Sequence, residues 1–196
     1  MDKINFIKTF ISQGDYKEKY EHGEMIVRHL GAVLDEKMGA YECYECTVPI
    51  GEYDEGEIQE AFVEFSAKMD ALKLKQAKAD KIAEITAYDT SDKVNGFTLN
   101  GLLVWLDKAT RVGLMNSTTI AKAAGQQTTT LWLKGIKLVV DCDKAIQLLS
   151  ALEMYALECF NVTASHKATV NELTTVEEVE AYDYKSGYPK MLEMSV

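Results

Sequence analysis

The second half of the chain carries one pattern twice. From Phe97 to Met115 (FTLNGLLVWLDKATRVGLM), and again from Leu131 to Phe160 (LWLKGIKLVVDCDKAIQLLSALEMYALECF), a short apolar strand leads to a tight turn, a second strand, an aspartate and a helix. Asn100-Gly101 supplies the positive φ angles that a two-residue type I′ turn requires, and the apolar and β-branched residues around it complete a hairpin signal. Lys134-Gly135 is a weaker form of the same signal. Hairpins followed by helices place the chain in the α+β class. The expected architecture is a small N-terminal helix-plus-hairpin module over residues 1–53, a long connecting helix over 54–88, and a C-terminal domain over 89–196 in which two β-hairpins pack on helices.

The remaining elements follow from periodicity and caps. Ile4, Ile7, Phe10 and Ile11 share one face of a short helix from Ile4 to Ile11, which Gln13-Gly14-Asp15 ends. Glu24 to Leu34 and Tyr41 to Pro49 form a hairpin across the polar turn Asp35 to Gly39. From Glu55 to about Tyr88 there is no proline, and no glycine after Gly56. Along it Ile58, Phe62, Phe65, Met69 and Leu72 step by four, three, four and three, the spacing of a seam that packs on a helix. Two readings share that seam: packing within its own domain, or self-association into a homo-oligomer. Beyond Leu72 the stripe degrades into a mixed-charge surface with Ala77, Ile82 and Ile85 left over, and reads as a connector.

In the C-terminal domain Asp107 occupies an N-cap position and can pair with Arg111 four residues on. Ser117 reads as a second cap, opening a helix that Gly125 terminates, and Asp141 caps the strongest helix of the chain. On that helix Ala145, Leu148, Leu149, Leu152, Ala156, Cys159 and Phe160 form a wide apolar stripe, extended by Ile146, Tyr155 and Val162, so it should be the central core helix. Thr175 and Glu178 form a capping box.

Composition narrows the function. A formal net charge of −10 opposes the counterion release that drives binding to phosphate backbones, so no nucleic-acid partner is expected. No apolar run approaches the length of a membrane span, and the N-terminus lacks the blocks of a signal peptide, so no membrane partner is expected and the cytoplasm is the expected compartment. Cys43 and Cys46 form a CxxC within a strand, where positions three apart face opposite sides, so neither a metal nor a redox role is expected. Cys142 and Cys159 read as buried helical thiols. His22, His29 and His166 have no ligand or nucleophile at a mechanistic spacing. Glu177-Glu178 suits a helix N-terminus. No phosphate loop, nucleophile elbow, zinc-protease or calcium-loop motif occurs, so no catalytic residue, cofactor or metal ligand is assigned.

Trp105 and Trp132 hold matching places in the two repeated blocks. Tryptophans among apolar strand neighbours are ordinarily core. Exposed, the pair would form a stacking platform for sugars or a hot spot for a protein partner.

The stretch from Lys81 to Leu173, with its Asn-Gly strand, tryptophan before an aspartate, short helix, Trp-containing strand with Gly, and long helix, resembles an uncharacterised domain family encoded in phage and prophage tail regions. Members often neighbour tail-fibre genes, and their arrangement is similar to that of tail-fibre assembly proteins. VRHLGAVLDEKMGAYECYE looks like the variable front part that precedes this domain. The resemblance implies a non-enzymatic phage tail protein, a fibre-assembly accessory or chaperone that binds the fibre in the host cytoplasm. The alternative is a permanent structural or receptor-binding subunit of the virion tail, and the minor alternative a small enzyme or regulator. No residue of known role comes with the resemblance; Trp105 and Trp132 are the candidate partner-binding residues, and Ile58, Phe62, Phe65, Met69 and Leu72 the candidate self-association seam.

Overall fold

The computed structural model describes residues 4–12, 18–21, 23–35 and 40–196. The chain is α+β and divides into two compact units, residues 1–73 and 74–196. The first unit holds strands β1 (Ile7–Ser12), β2 (Glu18–Glu21), β3 (Glu24–Asp35) and β4 (Ala40–Pro49), followed by the start of helix α1 (Glu55–Asp89). The strands make one antiparallel sheet in the order β1-β4-β3-β2. The hairpin expected from Glu24 to Pro49 is therefore present as β3 and β4, while most of its turn lies outside the described residues, as do Gln13-Gly14-Asp15 and His22.

The helix expected over Ile4 to Ile11 is not formed. Ile7 to Ser12 are β1, paired with Glu45 to Ala40 of β4. An eight-residue segment gains little from helix formation alone, and the β-branched Ile7, Thr9 and Ile11 suit a strand once a sheet edge is available. Along β4, Tyr44, Cys46 and Val48 are buried and alternate with Glu45, Thr47 and Pro49, the period of a strand, while Cys43 is buried as well. Helix α1 covers it with Ile58, Phe62 and Phe65, which join Phe6 and Tyr44 in one core. Phe6 stands edge-on to Phe62 and Tyr44 edge-on to Phe65, each pair 5.3 Å apart, as the ring quadrupoles favour. A reciprocal pair of bonds starts α1: Asp54 Oδ1 accepts from the Glu57 N–H, and Glu57 Oε2 from the Asp54 N–H.

The second unit contains the rest of α1, then β5 (Phe97–Leu99), β6 (Leu102–Val104), α2 (Lys108–Ala123), β7 (Thr128–Leu133), β8 (Ile136–Asp141), α3 (Cys142–Glu172), α4 (Val176–Ala181) and β9 (Leu192–Met194). The stretch of α1 that reads as a connector is packed here: Ile85 is fully buried with Val170 and Val179, and Leu74, Ala77 and Ile82 lie against that cluster. Both hairpins close as expected, with positive φ at Asn100 (50°) and Gly101 (80°) and at Lys134 (49°) and Gly135 (81°). β9 adds parallel to β5, giving a three-stranded sheet β6-β5-β9, while β7 and β8 form a separate pair.

Two helical expectations change. α2 runs unbroken through Ser117, because no residue there leaves the helical path and a serine inside a helix is only mildly unfavourable. It ends where Gly125 allows it: the Gly125 N–H donates to Lys122 and the Gln126 N–H to Ala121, a Schellman closure. On α3 the buried residues Ala145, Leu149, Leu152, Ala156, Cys159 and Thr163 step by four and three, so the core stripe is narrower than the apolar residues suggest. Phe160 falls outside it and is 61% exposed. Tyr155 is buried, and its hydroxyl donates to the Val94 carbonyl at 2.6 Å. The core of the unit otherwise comes from Phe97, Leu99, Val104, Leu131, Leu133 and Val140 of the hairpins. Thr175 and Glu178 form the expected capping box at α4. No helix among the described residues is long and apolar enough to cross a membrane.

Candidate functional site

Between the last residue of β6 and the first of α2 stand Trp105, Leu106 and Asp107. Asp107 is the N-cap: its Oδ1 accepts from the Thr110 N–H at 2.8 Å and its Oδ2 from the Thr110 hydroxyl at 2.7 Å. These bonds to the ionised form hold its carboxyl below the usual carboxylate range. With both oxygens engaged by Thr110, Asp107 does not make the expected pair with Arg111. The Arg111 guanidinium turns inward, where Nε donates to Glu153 Oε1 of α3 at 2.7 Å and Nη1 donates to the Leu106 carbonyl at 2.8 Å. Leu106 is itself buried, so the carbonyl it offers is fixed by the core. A two-residue link thus sends one side chain inward, anchors a cation, and leaves Trp105 39% exposed.

A cleft of about 410 Å³ opens beside that link. It is lined by Trp105, Asp107 and Lys108 at the link, by Arg111 of α2, and by Glu153, the buried Ala156, Leu157 and Phe160 of α3. Asp89, Thr90 and Asn95, at the end of α1 and in the loop after it, complete the lining. Asp89 is tied back into the unit: its Oδ1 accepts from the Thr163 hydroxyl at 2.8 Å, and Asn95 Nδ2 donates to its main-chain carbonyl at 2.6 Å. Asp89, Asn95, Asp107, Arg111 and Glu153 of the cleft thus each have a hydrogen-bond partner within the unit, while Trp105, Leu157 and Phe160 present apolar surface to solvent. Such a cavity suits a bound apolar group held by few polar contacts.

The structure places Trp105 in the cleft and Trp132 outside it. Trp132 lies on the open face of β7, 62% exposed, opposite Lys137 of β8. In the proposed seam, Ile58, Phe62 and Phe65 belong to the core of the first unit, Met69 is half-buried and Leu72 is 58% exposed. His29 is paired within β3 opposite Tyr44. His166 is held between the Tyr182 hydroxyl, 2.8 Å from Nδ1, and the Ser186 carbonyl, 2.9 Å from Nε2. Since a carbonyl only accepts, Nε2 carries the proton in the neutral ring and Nδ1 accepts from Tyr182. Cys43, Cys46, Cys142 and Cys159 are buried thiols outside any disulfide, and burial pushes those of Cys46 and Cys159 up. Among the described residues no group of His, Cys, Asp and Glu is arranged to hold a metal ion.

Sequence reasoning missed Arg111, Glu153, Leu157 and Phe160 as cleft residues. The pairing of Arg111 with Glu153 spans 42 positions, beyond any local rule. Phe160 was counted in the apolar stripe of α3, and only the burial pattern of the folded helix places it outside.

A family model described as a domain of unknown function (DUF4376) matches residues 76–186, more than half of the chain and all of the cleft. None of the curated proteins and none of the solved structures matches the chain.

Proposed function

The chain belongs to the DUF4376 family, and we propose that it is a non-enzymatic binding protein of phage tails, an accessory that engages a tail fibre while the fibre assembles. The observation that carries the binding part of this reading is the convergence of Trp105, Leu157 and Phe160 on one cleft in which Asp89, Asp107, Arg111 and Glu153 each already have a hydrogen-bond partner within the protein. A reaction centre keeps a nucleophile or base poised toward the substrate, whereas this arrangement offers area and shape. The phage context comes from the resemblance of Lys81 to Leu173 to tail-region proteins. In this reading the protein acts in the host cytoplasm, on a protein partner, without a cofactor, nucleic acid or membrane. The alternative is a permanent subunit of the virion tail, with self-association through the α1 seam.

Light scattering on the purified protein, alone and mixed with the fibre encoded beside it, tests the proposal. A 21.9 kDa species that moves into a larger complex with the fibre is the expected result. A stable homo-oligomer that ignores the fibre and is found in purified virions at fixed stoichiometry favours the tail-subunit alternative instead. Neither Trp105→Ala nor Trp132→Ala should unfold the protein, because both rings are substantially exposed; each should weaken the complex.

A further inference from the structure

We propose that the side of β5 away from β6 is a strand-docking site, which β9 fills within the chain and which an extended segment of a partner protein, two apolar residues flanking a polar one, fills in its place. The inference rests on the protein-partner reading above and names the kind of segment the partner offers.

The structure holds an occupant of this site. β9 pairs parallel to β5, with Leu192 opposite Phe97, Glu193 opposite Thr98 and Met194 opposite Leu99. Leu192 and Met194 pack against the main core cluster, while Glu193 between them is exposed. The Asn100 N–H, at the turn after β5, donates to the Met194 carbonyl at 2.9 Å. Main-chain bonds along a sheet edge hold any extended segment, and the pockets for alternate side chains choose among them. Here the pockets choose apolar, polar, apolar.

Four observations make β9 replaceable. It is three residues long, and both side chains it packs on the core stay half-buried. Met194 leaves a pocket of about 20 Å³ beside Leu99, Leu106, Leu149 and Leu152, lined by apolar residues alone. That is room for about one water with no polar group to hold it, so a bulkier apolar side chain gains contacts that Met194 lacks. The chain before β9 has its own anchor at Tyr188, whose hydroxyl bonds to Thr163 at 2.9 Å and whose ring stands edge-on to Tyr88. Pro189, Lys190 and Met191 alone join that anchor to β9, so the strand can leave while the anchor stays. The family match ends at residue 186, so β5 and its apolar neighbours belong to the matched domain and β9 does not. Once β9 leaves, β5 is an open edge beside an apolar core, the arrangement to which strands add.

The test uses the full chain with β9 weakened in place, the Leu192→Ser, Met194→Ser double variant, and a fluorescent peptide of residues 190–196 followed by anisotropy. The expected result is saturable binding to the variant. Binding to the wild type should be about tenfold or more weaker, because the tethered strand competes at an effective concentration on the order of millimolar. The Asn100 amide reports the place: its NMR resonance should shift in the variant and return when the peptide binds. A peptide carrying Met194→Phe should bind the wild type more tightly than the native peptide does. If the double variant does not fold, Glu193→Pro takes its place, since proline at that exposed position disrupts the pairing and leaves the core side chains intact.

A peptide that fails to bind the variant, binds both proteins equally or leaves the Asn100 amide unmoved overturns the proposal. So does a Met194→Phe peptide that gains nothing, because a partner then has no advantage over β9. A wild-type dimer that dissociates in the double variant would make a second copy the occupant and overturn the partner assignment. The fibre experiment remains separate. A fibre that binds neither protein, while the peptide binds the variant, refutes the tail-fibre reading alone. A fibre that binds the wild type, while the peptide binds neither protein, refutes the strand site alone.

Discussion

The two hairpin-and-helix blocks of the second unit are built on one plan and finish differently. Each closes with a non-glycine and a glycine at positive φ, and each ends in an aspartate that caps the next helix. In the second block Asp141 is both the last residue of β8 and the cap of α3, so strand and helix adjoin directly. In the first block Trp105 and Leu106 intervene between β6 and the cap. That short link supplies the carbonyl that holds Arg111 and the ring that walls the cleft. The tryptophan of the second block lies within β7 itself, on an open face with no concavity assigned to it. The contrast teaches that the cleft here depends on two residues of slack at a strand-to-helix junction rather than on a different fold.

The largest expected effect tests whether Trp105 is free of the core. Phe97 of β5 is 1% exposed and sits in the main cluster, so Phe97→Ala should lower stability by about 3–5 kcal/mol. Urea unfolding followed by circular dichroism measures it. Trp105→Ala should lose less than half as much. Equal losses would make Trp105 a core residue and erase the contrast between the blocks.

The caps come next. Asp141 Oδ1 accepts from the N–H groups of Asp143 and Lys144, and Asp141→Ala should cost about 1 kcal/mol. Asp107→Ala should act in the same direction, and it should also change the pH dependence. Its folded pKa is depressed by the bonds from Thr110, so its contribution is present above the unfolded carboxylate range and is lost as pH falls through that range toward the folded value. Thermal melts of wild type and Asp107→Ala between neutral pH and pH 3 should therefore converge on the acid side. Parallel curves over the whole range would show that the cap bonds contribute nothing through ionisation.

What could be read in the sequence was local. The Asn-Gly turn, the caps at Asp107 and Asp141, and the Thr175–Glu178 box each involve residues within about four positions, where backbone geometry and one side chain decide the outcome. β1 was misread because its strand character is conferred by β4, far along the chain. β9 was missed for the same reason: it is three residues long and joins β5, with Val196 N–H donating to Asn100 Oδ1 across 96 positions. The cleft shares this limit. Trp105 was legible only as one of a matched pair of tryptophans, ordinarily core, whereas the Arg111–Glu153 pair exists only once α2 lies on α3. Phe160 was assigned to the core by counting all apolar residues on α3, when the stepping of the buried ones leaves it outside.

The smallest effect compares the two turns. Asn100 and Lys134 have almost the same backbone, φ 50° and 49°, in a region that Asn tolerates through its short polar side chain and Lys adopts under strain. Lys134 has one compensation, an Nζ that lies 3.4 Å from the Leu103 carbonyl, a distance at which a hydrogen bond contributes little. Lys134→Asn should therefore stabilise the protein by roughly 0.5 kcal/mol. The reverse change, Asn100→Lys, should destabilise it by more than that, because Asn100 Oδ1 also holds the Val196 N–H beside β9. Paired thermal melts of the two variants measure the difference. A neutral or destabilising Lys134→Asn would mean that the contact from Lys134 to Leu103 joins the second hairpin to the first more firmly than its length suggests, and that the two blocks differ in their turns as well as in their junctions.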